Sequence, residues 1–361
     1  MNTPILVVGE SVVDLVAHAD PAKGETSGHP AQAAPTTHTG GPAAPTAHAG
    51  GSPANVARGL VRLGLPTTFL TQLGTDSAGT TMRAALDGDR VRTVVDPIPH
   101  TPTALALLDA TGAATYTFKI AWTLASAYTA FTPATQHVHA GSIGTFMEPG
   151  AATSVAIAQR AHEAGATVSF DPNMRPDLIT DVAPVRARVE QMAASADVIK
   201  ASDEDLAFLY PHSEPRDIAE KWLAGGTALV IITRGGAGSL LLTASHPVDI
   251  PPIRTRVVDT VGAGDSYMAA VIAWLGGARA GAASIANDVE APAQRGLRSD
   301  AAAHVGAEGD REGASCLLGN QRALRVLSAE DLAAMGAFAS RVAGITVSRA
   351  GANPPRLAEL A

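Results

Sequence analysis

The sequence predicts an α/β fold in which a doubly wound, mostly parallel sheet is sandwiched by helices. Apolar runs of strand length alternate along the chain with longer helical patterns. Many of these runs are apolar throughout, which is typical of parallel strands covered on both faces. Of the 361 residues, 46% are hydrophobic but only 4% are aromatic. The core is therefore expected to consist mainly of aliphatic side chains.

Eight apolar runs predict the strands of this fold. They cover residues 5–9, 67–74, 103–109, 137–142, 167–171, 198–201, 229–233 and 239–243. The clearest helix is predicted over residues 53–63, with Ser52 as its N-cap, Pro53 as its first residue and Gly64 after its end. A second helical run is predicted from Tyr267 to Leu275, closed by Gly276 and Gly277.

Two segments lack helical or strand periodicity and predict surface insertions. Residues 20–49 are rich in Pro, Gly, Ala, Thr and His, whereas residues 277–315 are rich in Gly, Ala, Asp and Arg. Residues 48–54, at the end of the first segment, repeat the pattern of residues 38–43, and only this second copy opens a predicted helix. Gly50 and Gly51 are therefore assigned to function, because a helix N-terminus binds anions and polar ligands.

The composition excludes several classes of function. The formal net charge is -8 and the basic residues are scattered, so the chain lacks the basic stripe of a nucleic-acid-binding protein. No apolar stretch reaches membrane-spanning length, and the N-terminal apolar run is too short for a secretory signal. The only cysteine, Cys316, cannot form an internal disulfide. We therefore expect a cytoplasmic protein with no membrane or nucleic-acid partner.

The strand histidines do not predict a metal site, and the four lysines do not predict a P-loop. His137 and His139 face one side of a strand, where they are either core side chains or two ligands of a metal, and the core interpretation is favoured because no third ligand is evident. None of the lysines has the Walker spacing of Gly before it and Ser or Thr after it. A phosphate-binding loop of the P-loop type is excluded.

The most informative stretch is Asp259-Thr-Val-Gly-Ala-Gly-Asp265-Ser, which leads into an apolar helix. Small residues at a helix N-terminus let backbone N–H groups approach an anion, and the helix dipole favours negative charge there. A carboxylate beside such an anion hole repels its ligand, unless it accepts a proton from a nucleophile that attacks that ligand. Asp265 thus suggests phosphoryl transfer to a hydroxyl, although an acidic residue at this position could also only complement the helix dipole.

These residues resemble a known family. Residues 259–265 match the Asp-Thr-x-Gly-Ala-Gly-Asp signature of the ribokinase-like (PfkB) carbohydrate kinases, and residues 50–57 match their N-terminal Gly-Gly…Asn motif. Further family-like stretches are residues 8–10 with Asp14, 74–79, 171–176, 200–205, 233–238 and 346–355. The resemblance runs from Val7 to Pro355.

The resemblance implies an ATP-dependent, magnesium-requiring sugar kinase of the fructokinase-like branch. In its catalytic site Asp265 would be the base and Gly262, Ala263 and Gly264 would supply backbone donors to the phosphate. The implied sugar-binding residues are Asp14, Gly50, Gly51, Asn55 and Arg175, and the implied nucleotide-binding residues are Lys200, Ser202, Thr233, Gly235 and Gly238. Asp205, in place of the family's Glu, would handle Mg²⁺, and a monovalent cation is implied near Asp259.

The resemblance also sets the expected architecture. Residues 1–361 would form one kinase domain, with a small β-sheet lid from about residues 12–49 and 100–124 that often makes a homodimer interface in the family. The acceptor stays open among fructose, ribose, a nucleoside and 2-keto-3-deoxygluconate, for which Arg175 and Lys119 would supply cations. A sugar-binding regulator without kinase activity is the non-enzymatic alternative, and the intact base and donor glycines count against it.

Overall fold

A nine-stranded sheet forms the centre of the protein. The computed structural model describes residues 5–18, 45–108, 114–125, 131–278 and 316–360, so residues 279–315 of the predicted insertion at 277–315 and most of that at 20–49 lie outside the described residues. The described strands are β1 (Ile5–Val8), β2 (Val12–His18), β3 (Thr46–Gly50), β4 (Thr67–Leu73), β5 (Arg92–Pro97), β6 (Thr103–Leu108), β7 (Ala114–Lys119), β8 (His137–Gly141), β9 (Thr167–Asp171), β10 (Val198–Ser202), β11 (Leu229–Thr233), β12 (Ser239–Leu242) and β13 (Pro247–Ile250).

The described helices lie on both faces of this sheet. They are α1 (Ser52–Arg62), α2 (Ser77–Gly88), α3 (Gly150–Glu163), α4 (Val182–Ala193), α5 (Asp203–Leu209), α6 (Pro215–Ala224), α7 (Ala263–Leu275), α8 (Gln321–Leu324) and α9 (Ala329–Val347). Helices α1, α7 and α9 cover one face with an aliphatic cluster, and α3 to α6 cover the other. The predicted α/β sandwich is confirmed. Among the described residues no helix combines the length and apolarity needed to cross a bilayer.

The strand order places a ligand site at one point of the sheet. The order is β13-β12-β11-β10-β9-β8-β1-β4-β5, with β11 to β5 parallel and the two strands at the β13 edge antiparallel. The chain runs outward from β1 to β4 and β5, and then returns to β8 on the other side of β1. In open α/β sheets, ligands bind beyond the carboxyl ends of the strands at such a switch point.

A second sheet of four strands, in the order β3-β2-β6-β7, stands beside the first. Its strands lie within the two segments in which the sequence predicts a lid. The assignment of all of residues 20–49 to a surface insertion is wrong at its end, because residues 46–49 belong to β3 and pair antiparallel with β2. The pairing joins backbone groups, so the mostly exposed β3 needs no apolar side chains to form it.

The two strand histidines belong to the core. His137 and His139 are fully buried on β8. His137 hydrogen-bonds the hydroxyls of Thr167 and Ser169 on β9, and His139 shares the Ser169 hydroxyl. Burial lowers the pKa of both rings to about 3, so they are neutral. Within the described residues there is no cluster of three or more metal-ligating side chains.

The ends of the predicted insertion at 277–315 are close in space, which predicts that it is dispensable. The Leu317 N–H donates to the carbonyl of Leu275 at 2.8 Å, and Gly276 lies against Leu318. Replacing residues 279–315 by a short Gly/Ser linker should leave soluble expression and the cooperative thermal transition intact, because loop closure depends only weakly on length. Loss of soluble protein would show that the segment packs as a structural element.

Candidate active site

A cavity of about 350 Å³ lies at the switch point of the large sheet. Its walls come from the turn between β1 and β2, the start of α1, the inner face of the small sheet, the loop after β9 and the first turn of α7. Glu10, Asp14, Gly51, Ser52, Asn55, Ala104, Phe118, Asn173, Arg175 and residues 260–265 are among the residues that line it. The cavity thus joins residues from widely separated parts of the chain.

Asp265 is held in this cavity by hydrogen bonds from three side chains. It lies in the first turn of α7 and is only 6% exposed. Its Oδ1 accepts hydrogen bonds from the Ser52 hydroxyl at 2.7 Å and from Asn173 Nδ2 at 3.2 Å, and its Oδ2 accepts one from Asn55 Nδ2 at 2.8 Å. Three donors from two other segments of the chain therefore fix the direction of the carboxylate.

The start of α1 differs from the prediction in a way that serves Asp265. The helix begins at Ser52 itself, and its N-cap is Gly51 without a side-chain capping bond. The Ser52 hydroxyl is therefore not a cap, because it donates to Asp265 instead. Gly51 has φ +92°, and a Cβ there would lie 2.9 Å from the carbonyl oxygen of Glu10. Only glycine allows this close approach of α1 to the end of β1.

The first turn of α7 has the geometry of an anion-binding helix N-terminus. Gly262 is its N-cap in the left-handed conformation, with φ 77°. The N–H groups of Ala263 and Ser266 donate to backbone carbonyls, whereas those of Gly264 and Asp265 have no backbone acceptor among the described residues. Two free N–H groups at the positive end of a helix dipole fit a phosphate oxygen. The predicted donor residues Gly262, Ala263 and Gly264 all line the cavity.

The residues assigned to the sugar present hydrogen-bond acceptors to the cavity. Asp14 lies on β2 opposite His48 of β3, and its carboxylate abuts Gly50, where any Cβ would collide with it. Burial raises the pKa of Asp14, against the opposing effects of His48 and Arg175. The Oδ1 atom of Asn55 is buried with no hydrogen-bond partner. Asp14 and Asn55 both line the cavity and are suited to sugar hydroxyls.

The two cations considered for an acidic sugar occupy different surroundings. Arg175 lines the cavity, but its Nη1 already donates to the carbonyls of Asn173 and Met174 and to the Asn173 side chain, at 2.6–2.9 Å. Lys119 is exposed on β7, on the same outer side as the exposed Thr117, as the strand alternation predicts. It is not among the residues that line the cavity.

Lys200 and Asp205 lie behind the cavity instead of in its wall. Lys200 is 3% exposed, and its Nζ pairs with Asp171 Oδ2 at 2.9 Å, just beneath Gly264 of α7. Burial opposes the charge on Lys200, but Asp171, Asp205 and Asp265 together raise its pKa. Lys200 therefore acts as a buried counter-ion here, and a direct contact with nucleotide is not supported by this placement.

Ser202 and Asp205 form the capping box of α5. The Ser202 N–H and hydroxyl donate to Asp205 Oδ2, and the Met174 N–H donates to Asp205 Oδ1 at 2.7 Å. Both oxygens of Asp205 are thus engaged by donors of the chain. Its fit to a directly coordinated Mg²⁺ is poor, and a contact through a bound water is the role that remains.

The other predicted nucleotide residues follow β11. Thr233 is aligned with Ser202 of β10, and Gly235 and Gly238 form the turn between β11 and β12. Gly238 has φ +90°, and a Cβ there would collide with the carbonyl of Ile250, so this turn requires glycine. These residues lie next to the strand end that carries Ser202, but outside the cavity lining.

Asp259 joins the loop before α7 to residues 348–360, the segment after α9, which we call the C-terminal segment. Its Oδ1 accepts from the Val261 N–H at 3.0 Å and its Oδ2 from the Gly351 N–H at 2.8 Å. Both oxygens have backbone donors, so Asp259 shapes this loop. A monovalent cation nearby would need other oxygen ligands besides this carboxylate.

Three residues of the site were not assigned from the sequence as site residues. Ser52 and Asn173 hold Asp265, as described above. Glu10 lines the cavity at 1% exposure, with Oε2 accepting from the Gly144 N–H at 2.8 Å and Oε1 without a partner. Burial raises its pKa to about 7. All three residues stand within the family-like stretches of the sequence, and their position there was the signal that could have identified them.

Comparison with known proteins identifies a family. The sequence profile of a protein family described as pfkB family carbohydrate kinase matches residues 2–296. The chain is 32% identical to the fructokinase of Klebsiella pneumoniae over 286 residues, which is 76% of this chain and 85% of that protein.

Solved structures share the fold. The ATP-bound fructokinase of Xylella fastidiosa aligns with a TM-score of 0.72 and 22% identity, covering 100% of this chain and 97% of that one. A double mutant of the fructokinase of Vibrio cholerae O395, bound to fructose, ADP and potassium ion, aligns with a TM-score of 0.65 and 20% identity, covering 99% and 97%.

The buried Glu10 predicts a pH-dependent contribution to stability. Between about pH 4.5 and 7 the unfolded chain ionises Glu10 while the folded protein keeps it protonated, so this contribution falls as pH rises. The unfolding free energy of wild type, relative to Glu10→Gln, should drop by up to about 3 kcal/mol across this window. Urea denaturation from pH 4.5 to 8 measures it. Exposed Glu163→Gln is the control, and a constant difference between wild type and Glu10→Gln would contradict the prediction.

Proposed function

The chain belongs to the pfkB family of carbohydrate kinases and is an ATP-dependent kinase of a sugar hydroxyl, and on this premise we propose that it phosphorylates a neutral ketohexose such as fructose with Asp265 as the catalytic base. One observation carries the proposal. The Asp265 carboxylate, held by three donors, lines the same cavity as the first turn of α7 and as Asp14 and Asn55.

The chemistry follows from these positions. A sugar bound against Asp14 and Asn55 would present its hydroxyl to Asp265, which accepts the proton as the oxygen attacks the terminal phosphorus of ATP. The N–H groups of Gly264 and Asp265 would stabilise the charge on the transferring phosphoryl group. Asn55 and Ser52 keep the carboxylate aimed at the cavity throughout. The proton leaves the sugar on Asp265, and the leaving group is ADP.

The cofactor assignment rests on the family and on the site chemistry. A metal ion, which we propose is Mg²⁺, neutralises phosphate charge when it is bound with ATP. Because both oxygens of Asp205 are engaged, this residue would act on the ion only through water. Lys200 would support the anion site from below, as a buried positive charge under the first turn of α7. A monovalent cation near Asp259 stays a prediction.

The balance of charge in the cavity favours a neutral sugar. Three carboxyl groups, those of Glu10, Asp14 and Asp265, line the cavity against one guanidinium, that of Arg175. Burial raises the pKa of both Glu10 and Asp14, and Arg175 opposes this shift in each case, so its charge already acts on them. A carboxylated sugar would add a further negative charge beside Asp14 and Asp265. The runner-up acceptor, 2-keto-3-deoxygluconate, rests on Arg175 alone because Lys119 is exposed.

The remaining expectations concern assembly and location. We propose that the four-stranded sheet closes over the sugar, since Phe118 and Ala104 on its inner face line the cavity. A homodimer through this sheet and a cytoplasmic location stay predictions. A sugar-binding regulator is disfavoured because the base and its three donors are all in place.

Removing the base should abolish most of the activity and leave the fold intact. Asp265→Asn should lower kcat by roughly 10²- to 10⁴-fold, the range for the loss of a general base. The new amide can be accommodated if Asn55 turns its unpartnered Oδ1 toward it. ADP release under saturating substrates measures kcat, and calorimetric ATP binding with thermal unfolding checks the fold. Turnover near wild type would remove Asp265 from the mechanism.

The charge balance predicts the choice of acceptor. We expect kcat/KM for fructose to exceed that for 2-keto-3-deoxygluconate by about tenfold or more, because like charges repel strongly in a partly buried cavity. An acceptor panel with ATP and Mg²⁺ measures both values. Arg175→Met is the informative variant, since it should lower use of the acidic sugar further. A clear preference of wild type for 2-keto-3-deoxygluconate would overturn the choice of a neutral sugar.

A further inference from the structure

Outside the cavity, the strongest charged cluster of the described residues surrounds Asp89, directly after α2. Asp89 is 5% exposed and accepts hydrogen bonds from Arg58 Nε and Arg62 Nε on α1, each at 2.8 Å. Arg356 of the C-terminal segment approaches the same carboxylate at 3.5 Å, but it is largely exposed. The bonds from Arg62 and Arg58 outweigh burial and hold the pKa of Asp89 below its usual range.

The two arginines of α1 differ in one respect. Arg58 and Arg62 are nearly equally buried, with side chains 13% and 12% exposed. Only Arg62 reaches farther, because its Nη1 donates to Asn353 Oδ1 at 2.6 Å and to the Pro354 carbonyl at 2.7 Å. Arg62 therefore links α1 to the C-terminal segment by hydrogen bonds, whereas Arg58 does not.

The C-terminal segment in turn supports the loop that precedes α7. The Gly351 N–H donates to Asp259, and the N–H groups of Val258 and Asp259 donate to the carbonyl of Val347. Ala352 lies so close to Gly262 that a Cβ on Gly262 would come within 2.6 Å of the Ala352 Cβ. The segment thus forms a wall against the N-cap of the anion-binding helix.

From this chain of contacts we propose that Arg62 is a positioning residue for phosphoryl transfer, which fixes the C-terminal segment and, through it, the N-cap of α7. This inference rests on the proposed phosphate role of Gly262, Ala263 and Gly264. Helix α1 then serves the site at both ends: its first turn orients the base through Ser52 and Asn55, and its last residue holds the wall behind the anion hole.

The test compares Arg62→Met with its matched control Arg58→Met. Each variant removes one guanidinium from Asp89 and leaves two others near it, and Arg62→Met also loses the bonds to Asn353 and Pro354, so it should lower the unfolding temperature somewhat more than Arg58→Met. Misplacement of reacting groups by a fraction of an ångström is costly, and Arg62→Met should lower kcat/KM for ATP about tenfold. Arg58→Met should stay within about twofold of wild type, because the hydrogen bond described for Arg58 goes to Asp89 and not to the C-terminal segment.

A second readout does not depend on catalysis. Hydrogen exchange in peptides covering residues 258–264 and 347–355 should be faster in Arg62→Met than in wild type, and unchanged in Arg58→Met. Asn353→Ala should shift exchange in the same direction but less, since the Pro354 carbonyl still accepts from Arg62.

The outcomes separate this inference from the proposed function. Equal kinetics and equal exchange for Arg62→Met and Arg58→Met would contradict the proposed positioning of the C-terminal segment by Arg62. Faster exchange at both segments without a change in kcat/KM for ATP would also overturn its role in phosphoryl transfer. An active Asp265→Asn enzyme would instead contradict the proposed function, whatever the arginine variants do.

Discussion

The rest of the site depends on one constraint: the Asp265 carboxylate must be held in the first turn of α7, where the free N–H groups could also bind an anion. Asp265 meets it through donors on three side chains, Ser52 and Asn55 from α1 and Asn173 from the loop after β9. Their hydrogen bonds compensate the burial of the carboxylate and aim it. The N–H groups of Gly264 and Asp265 in the same helical turn have no backbone acceptor among the described residues, so the proposed base and the proposed anion hole share one turn of backbone.

The large sheet makes this convergence possible. The strand order switches sides at β1, because β4 and β5 lie on one side of it and β8 and β9 on the other. The segments that follow β1 and β9 therefore line the same cavity as the first turns of α1 and α7. Glycines at the contacts, such as Gly51 beside the end of β1, let the segments approach closely. The small sheet then closes the space from the side of Asp14.

Charge is distributed differently in the cavity and behind it. The cavity wall carries the carboxyl groups of Glu10, Asp14 and Asp265, whereas Lys200 lies behind the cavity, below the helix N-terminus, where it is paired with Asp171. In the proposed mechanism the buried Lys200–Asp171 pair would lie on the phosphate side of the site and Asp14 on the sugar side.

The sequence alone determined the fold class, eight of the strands, the glycine-rich start of α7 and the family, because these depend on local periodicity and on contiguous motifs. Tertiary structure decided what distant residues do to one another. Ser52 was predicted as a helix cap but donates to Asp265, which is remote in the chain, and residues 46–49 joined β3 through backbone pairing that side-chain pattern does not encode. Lys200 and Asp205 matched a nucleotide motif, yet their charges are engaged by Asp171 and by neighbouring donors. Arg62 carries no local signal at all, since its role comes from a C-terminal segment that only folding brings to the end of α1.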